Sequence, residues 1–212
     1  MKKDTNSNIE NALRSTIDVP ADLLARYEKL KGLVAERKAE FDVLMDFVEN
    51  ETVYLTTPAS TRFHLCTPNG LLEHSVNVAE TLLYMKSFLA PEISDESCVI
   101  VALMHDLGKA GFPGVPQYLE RDPSERESIG AKSFWPPYRY NDDILHMGVP
   151  IRSMYLIGPR FPLTPTEAQA IVYHDGQYVK ENRGIATREE PLSLLLQYAD
   201  NWSGFVMERE EQ

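Results

Sequence analysis

Met104-His105-Asp106-Leu107-Gly108-Lys109 places an imidazole and a carboxylate side by side. On a helix two such neighbours point about 100° apart. Val101, Ala102 and Leu103 flank them, so both side chains are expected to be substantially buried. A buried carboxylate is costly unless it is paired or bound to a cation. A divalent metal accepting one imidazole nitrogen and one carboxylate oxygen answers both needs at once. The plainer alternative is a core histidine bonded to a backbone carbonyl, with Asp106 acting like a cap near the helix end. Two further residues favour the metal. His74 shares a helical face with Leu71 and Val78, and Asp200 lies on the stripe of Leu196 and Ser203. A histidine, a His-Asp pair and an aspartate thus project from the inner faces of three separate helices, as in metal sites built inside helix bundles.

The elements that carry these residues are legible from apolar periodicity and punctuation. Residues 1–18 read as a mobile tail. Pro20-Ala21 opens a helical stretch reaching about Asn50, with a break near Gly32. Residues 51–70 are irregular, with Pro58, Pro68 and Asn69-Gly70. A helix from about Leu71 to Leu89 is expected to carry His74. Another starts at the N-cap Ser94, runs to Leu107 and stops at Gly108. The stretch 110–140 is rich in proline, glycine and aromatics, including Phe134, Trp135, Tyr138 and Tyr140. It reads as a packed excursion able to cover a site, with room for a short β-hairpin. Helices are then expected at about Asp142–Ile157, from Pro165 to about His174, and from Pro191 to about Met207. Thr164-Pro165-Thr166-Glu167 has the form of a capping box. The fold class is all-α, with a tail and helix over 1–50 and a helical core over 51–212.

The chain has 212 residues and a net charge of −11. Residues 51–212 hold 13 Lys and Arg against 22 Asp and Glu. That balance disfavours gripping long nucleic acid, which needs clustered cations along the phosphates. A small phosphorylated substrate remains compatible, because a metal can supply positive charge. Cys66 and Cys98 are too few for a disulfide framework or a cysteine-based zinc site. No apolar run approaches the roughly 20 residues of a membrane span. The expected location is the cytoplasm.

The ordered set His74, His105-Asp106 and Asp200 resembles the HD-domain metal-dependent phosphohydrolase superfamily, whose pattern is H…HD…D. The likeness extends through Pro58-Ala59-Ser60-Thr61-Arg62-Phe63-His64 and Gly70-Leu71-Leu72-Glu73-His74-Ser75. It continues through His146, Arg152-Ser153, Thr164 with Glu167, Tyr173-His174 and Ala199-Asp200. This is the branch of stand-alone HD hydrolases, similar to the HD module of bacterial 3′–5′ exoribonucleases. The resemblance covers about residues 52–205. Asn69-Gly70 replaces the usual Gly-Gly, which requires a positive φ at Asn69. His174-Asp175 replaces the paired His-His of some relatives, and nothing corresponds to the OB-fold partner of the exonucleases.

The resemblance implies a first metal held by His74, His105, Asp106 and Asp200. It implies a second held by His146 and His174 with Asp106 bridging; these two histidines could instead bond substrate or pack. Mn, Fe, Co, Ni and Zn all suit mixed N/O ligands. Asp106, Lys109 and Arg152 are the candidate catalytic residues. Lys109 could neutralise a phosphate, or only interact with a helix end. Arg152 could clamp a phosphoryl oxygen with its planar fork, or form a surface ion pair. His64, Arg62 and Tyr140 are candidates for substrate binding, beside the alternative of turn and packing roles. The implied activity is metal-assisted hydrolysis of a phosphate ester of a nucleotide or short phosphodiester. The alternatives are a non-catalytic nucleotide-binding regulatory HD module and a 3′–5′ exonuclease on short single strands.

Overall fold

The computed structural model describes residues 19–122 and 136–209. The tail at 1–18 and the aromatics Phe134 and Trp135 lie outside the described residues. Helix α1 (Ala21–Lys31) ends at Gly32 and α2 (Lys38–Glu51) follows, so the expected break is present. Next come α3 (Gly70–Leu89), α4 (Asp95–Met104) and a 3₁₀ turn at Leu107–Ala110. Strands β1 (Tyr118–Glu120) and β2 (Tyr138–Tyr140) pair antiparallel, with Tyr118 opposite Tyr140. Helices α5 (Val149–Ile157), α6 (Pro165–Tyr173) and α7 (Pro191–Trp202) complete the bundle, and a π-helical turn at Ser203–Met207 extends α7. Two 3₁₀ stretches, Gly176–Tyr178 and Lys180–Ile185, separate α6 from α7. Among the described residues the protein is all-α with one short hairpin. None of the helices is long and apolar enough to cross a membrane, among the described residues.

Helix α3 lies against both α4 and α7, and α6 packs on α7. One hydrophobic core runs from Leu23 and Phe41 of the first two helices through Leu72, Val99 and Ile100 to Ile171 and Leu196. At the entry to α3, Asn69 adopts φ 63°, the left-handed conformation its position requires. Gly70 follows because a Cβ there would lie 2.1 Å from the Leu65 carbonyl oxygen. Ser94 caps α4 by accepting the Ser97 N–H at 3.0 Å, and the capping box on α6 is complete.

Glu167 has a second task beyond that box. Its carboxylate, 1% exposed, accepts Arg37 Nη2 at 2.6 Å and the Ser97 hydroxyl at 2.8 Å. Arg37 also binds Glu96 at 2.7 Å, and Glu96 accepts the Ala35 and Glu36 N–H groups. One guanidinium therefore ties the segment between α1 and α2 to α4 and α6. Burial pushes both carboxyls up in pKa, but Arg37 and the N–H donors outweigh it and hold them below 4.5. Arg37→Ala strands these carboxylates, and a loss of about 3 kcal/mol is expected. Chemical denaturation checks it. Because the folded carboxyl values are depressed, this stability is full above pH 4.5 and fades as pH falls through the lowered values, so the deficit of the variant shrinks in acid.

Two expectations about helix boundaries are corrected. Helix α5 begins at Val149, not near Asp142, because Pro150 can sit only in a first turn. Helix α4 ends at Met104, and the chain tightens at Asp106 (φ −103°, ψ 10°) into the 3₁₀ turn. Gly108 lies in that turn because a Cβ would come within 2.2 Å of the Val149 carbonyl oxygen.

Candidate metal centre

The turn after α4 reshapes the His-Asp pair. On a continuous helix the two side chains would diverge by about 100°. Here His105 keeps helical dihedrals while Asp106 sits in the bridge region, where many active-site residues are found. Both side chains face the same interior point, with His105 Nε2 3.4 Å from Asp106 Oδ2. His74 of α3 brings Nε2 to 3.0 Å from Asp200 Oδ1 of α7 and 3.7 Å from Asp106 Oδ2. His174, following α6, brings Nε2 to 3.5 Å from Asp106 Oδ1. Asp106 thus stands between the α3/α7 residues and His174, each of its oxygens facing a different imidazole. Asp200 is the most accessible of the set, its side chain 22% exposed.

The hydrogen bonds behind these side chains set what each offers. His105 Nδ1 lies 2.8 Å from the Ala102 carbonyl oxygen, and His174 Nδ1 lies 2.8 Å from that of Ile171. A carbonyl only accepts, so Nδ1 carries the proton and a neutral ring presents the Nε2 lone pair inward. The Nε2 atoms of His74 and His105 are buried and make no aligned hydrogen bond. Unpartnered buried nitrogens beside carboxylate oxygens are the donor set of a divalent transition metal. Among the described residues, three groups have ligand atoms close enough to share an ion: His74, His105 and Asp200; His105, Asp106 and His174; and His64, His74 and Glu208.

Without a cation the cluster balances its own charges. Burial disfavours imidazolium at His74 and His174. The carboxylates nevertheless prevail, Asp200 and Glu208 at His74 and Asp106 at His174, raising each to about 9. Burial would also raise Asp106, but Lys109 and His105 hold its carboxyl far below the usual range. Lys109 Nζ sits 2.5 Å from Asp106 Oδ2 and stays protonated despite burial.

The remaining candidates divide. His64 lies beside the cluster, its ring 5.0 Å from that of His74; burial and His74 lower its pKa to about 4. Arg62 is exposed in the turn before it. Tyr140 is 61% exposed on β2, against the buried Tyr118. His146 is not brought to the cluster: it is exposed in the loop before α5, the consequence of that helix starting late. Arg152 is buried, and its donors go to the Gly108 carbonyl at 2.8 Å, the Met147 carbonyl at 2.9 Å and Gln117 Oε1. Its guanidinium also lies over Phe112. Arg152 holds the turn after the His-Asp pair instead of reaching outward. Ser153 helps, its hydroxyl donating to the His105 carbonyl and accepting the Gly108 N–H.

Glu208 joins the site without having been foreseen. Its carboxylate is 2.9 Å from His74 Nδ1 and accepts Asn77 Nδ2 at 2.9 Å. In the sequence it opens the charged run Glu208-Arg209-Glu210-Glu211, which carries no apolar periodicity. The only hint was its place eight residues after Asp200, about two helical turns on.

The HD domain family matches residues 71–134, a segment that holds His74, His105 and Asp106. Over that segment the chain is similar to HD domains, a family made up mostly of metal-dependent hydrolases that bind divalent cations. His174, Asp200 and Glu208 lie beyond the matched segment. No curated protein and no solved structure matches the chain.

Proposed function

We propose that the chain is a cytoplasmic metal-dependent phosphohydrolase that cleaves a phosphate ester of a nucleotide or a short phosphodiester. The observation that carries this is the convergence of the buried His74, His105, Asp106 and His174 with the half-buried Asp200, the Nε2 atoms of His74 and His105 facing carboxylate oxygens with no aligned hydrogen bond. His74, His105, Asp106 and Asp200 would hold the first cation (Mn, Fe, Co, Ni or Zn), and His174 with Asp106 would serve a second. When bound, the cation supplies an acidified water as nucleophile and positive charge toward the phosphoryl oxygens.

The chain's own residues do the rest. Lys109 keeps a positive charge beside Asp106, where it attracts a phosphate oxygen. Arg152 and Ser153 fix the turn that aims His105, Asp106 and Lys109. The α3 and α7 faces hold His74 and Asp200 in register. His64 and Tyr140 remain the candidates for contact with the rest of the substrate, with Arg62 at the rim. A module freed from catalysis has no need of this many converging ligand groups, so the regulatory reading is the weaker one.

The acidic balance of residues 51–212 sets the expected substrate size. Long polyanions meet repulsion that is worst at low salt, while a mononucleotide avoids most of it. Metal-loaded protein is therefore expected to cleave mononucleotides or very short phosphodiesters faster than long single-stranded RNA or DNA. The measurement is initial rate per phosphate bond over a length series at two ionic strengths. Rates that rise with length and fall steeply with salt would replace this reading with the exonuclease one.

A further inference from the structure

His74 differs from the other two inward histidines in what stands behind it. His105 and His174 are each oriented by the carbonyl three residues earlier on their own helix. His74 lies inside α3, where the backbone carbonyls are taken up by the helix. Its Nδ1 instead faces the Glu208 carboxylate, at 2.9 Å from Oε2 and 3.2 Å from Oε1. The Glu208 side chain is 2% exposed and sits 134 residues away in the chain. Asn77, one turn along α3, donates to Glu208 Oε1 at 2.9 Å, and the Glu208 N–H donates to the Ser203 carbonyl at 2.9 Å. The carboxylate is thus held from α3, and the Glu208 backbone from the π-helical turn. That turn matters because it shifts the register after Trp202, delivering Glu208 to α3 and not to solvent.

We propose that Glu208 is a positioning residue for His74: it accepts the hydrogen bond from Nδ1–H, fixes the ring with Nε2 aimed at Asp106 and Asp200, and so makes metal retention depend on the docked C-terminal turn. A carboxylate behind a ligating imidazole orients the ring and raises its basicity as a donor, and loss of such a partner weakens metal binding 10–100-fold. The other arrangement of the same atoms makes Glu208, His64 and His74 a separate ion site. That would require His74 Nδ1 to give up its proton while Nε2 serves the first centre. His64 Nε2 lies 3.8 Å from Glu208 Oε2, farther than the Nδ1 contact that His74 already makes. The inference rests on the metal centre proposed above and concerns only how one of its ligands is oriented.

The test measures Zn affinity of the full chain by competition with a chelator, for wild type, Glu208→Ala and Glu208→Gln, together with the ¹⁵N shift of His74 Nδ1 in the Zn-loaded protein. Glu208→Ala is expected to weaken Zn binding about 10–100-fold. Glu208→Gln, whose carbonyl still accepts the proton, should recover part of that loss. In wild type the Nδ1 shift should report a protonated nitrogen. In a His74→Ala background, Glu208→Ala should have no further effect, which a merely structural role would not produce. Affinities within twofold of wild type for both variants, or an unprotonated Nδ1 in the loaded wild type, overturn the proposal. If Glu208→Ala does not fold, Glu208→Gln and the wild-type spectrum decide it. A wild type that binds no Zn at all fails the metal centre itself, a result separable from those above.

Discussion

Asp106→Ala is expected to abolish hydrolysis, with a loss of about 10³-fold or more, while the helical fold persists. Among the described residues, Asp106 is the one carboxylate within 3.7 Å of His74, His105 and His174 together, and it also pairs with Lys109. Its loss removes the anion on which the whole donor set converges, and metal-derived stabilisation of a phosphoryl transition state is worth several kcal/mol, each 1.36 kcal/mol being tenfold in rate. The same substitution leaves the Lys109 ammonium without its nearest counter-charge, so the variant should melt earlier than wild type. Asp106→Asn also removes the charge but keeps a side-chain oxygen that can accept from Lys109, so it should be as inactive as Asp106→Ala and lose less stability. Circular dichroism and a phosphatase panel check both. Wild-type turnover in either variant would show that the site is elsewhere.

His174→Ala and His146→Ala should part sharply. The structure brings His174 to 3.5 Å from Asp106 Oδ1 and leaves His146 exposed before α5. His174→Ala is therefore expected to cost about 100-fold in turnover, through loss of a ligand or of the geometry it imposes on Asp106. His146→Ala should stay within about twofold of wild type, as an exposed loop histidine outside the ligand groups. Parallel steady-state kinetics with one substrate checks the pair. A large loss at His146 with none at His174 would reverse the assignment.

What could be read beforehand follows from the range of the interactions involved. Helix periodicity, the Ser94 cap, the Thr164–Glu167 box and the positive φ of Asn69 are local, and each is present. The convergence of His74, His105-Asp106 and Asp200 was legible because each sits on an apolar stripe, and an apolar stripe must face the core. The misreadings come from tertiary partners. Arg152 looked like a free phosphate clamp because its targets, the Gly108 and Met147 carbonyls, are set by a loop path that no periodicity announces. The Arg37 link to Glu96 and Glu167 spans 59 and 130 positions, respectively. Glu208 depends on a π-helical turn, and one extra residue in a helix changes which face a side chain occupies. His146 follows from the resemblance alone, and the loop before α5, where it is exposed, has no apolar stripe to turn it inward.

The central claim is that His74, His105, Asp106 and Asp200 hold a divalent transition metal, and metal content tests it most directly. The protein should be prepared without chelator and assayed by elemental analysis per chain, beside Asp106→Ala prepared identically. The expected result is at least one equivalent of Mn, Fe, Co, Ni or Zn in the wild type and a marked deficit in the variant. A wild type that holds none, and takes up none of the five on reconstitution, would contradict the account.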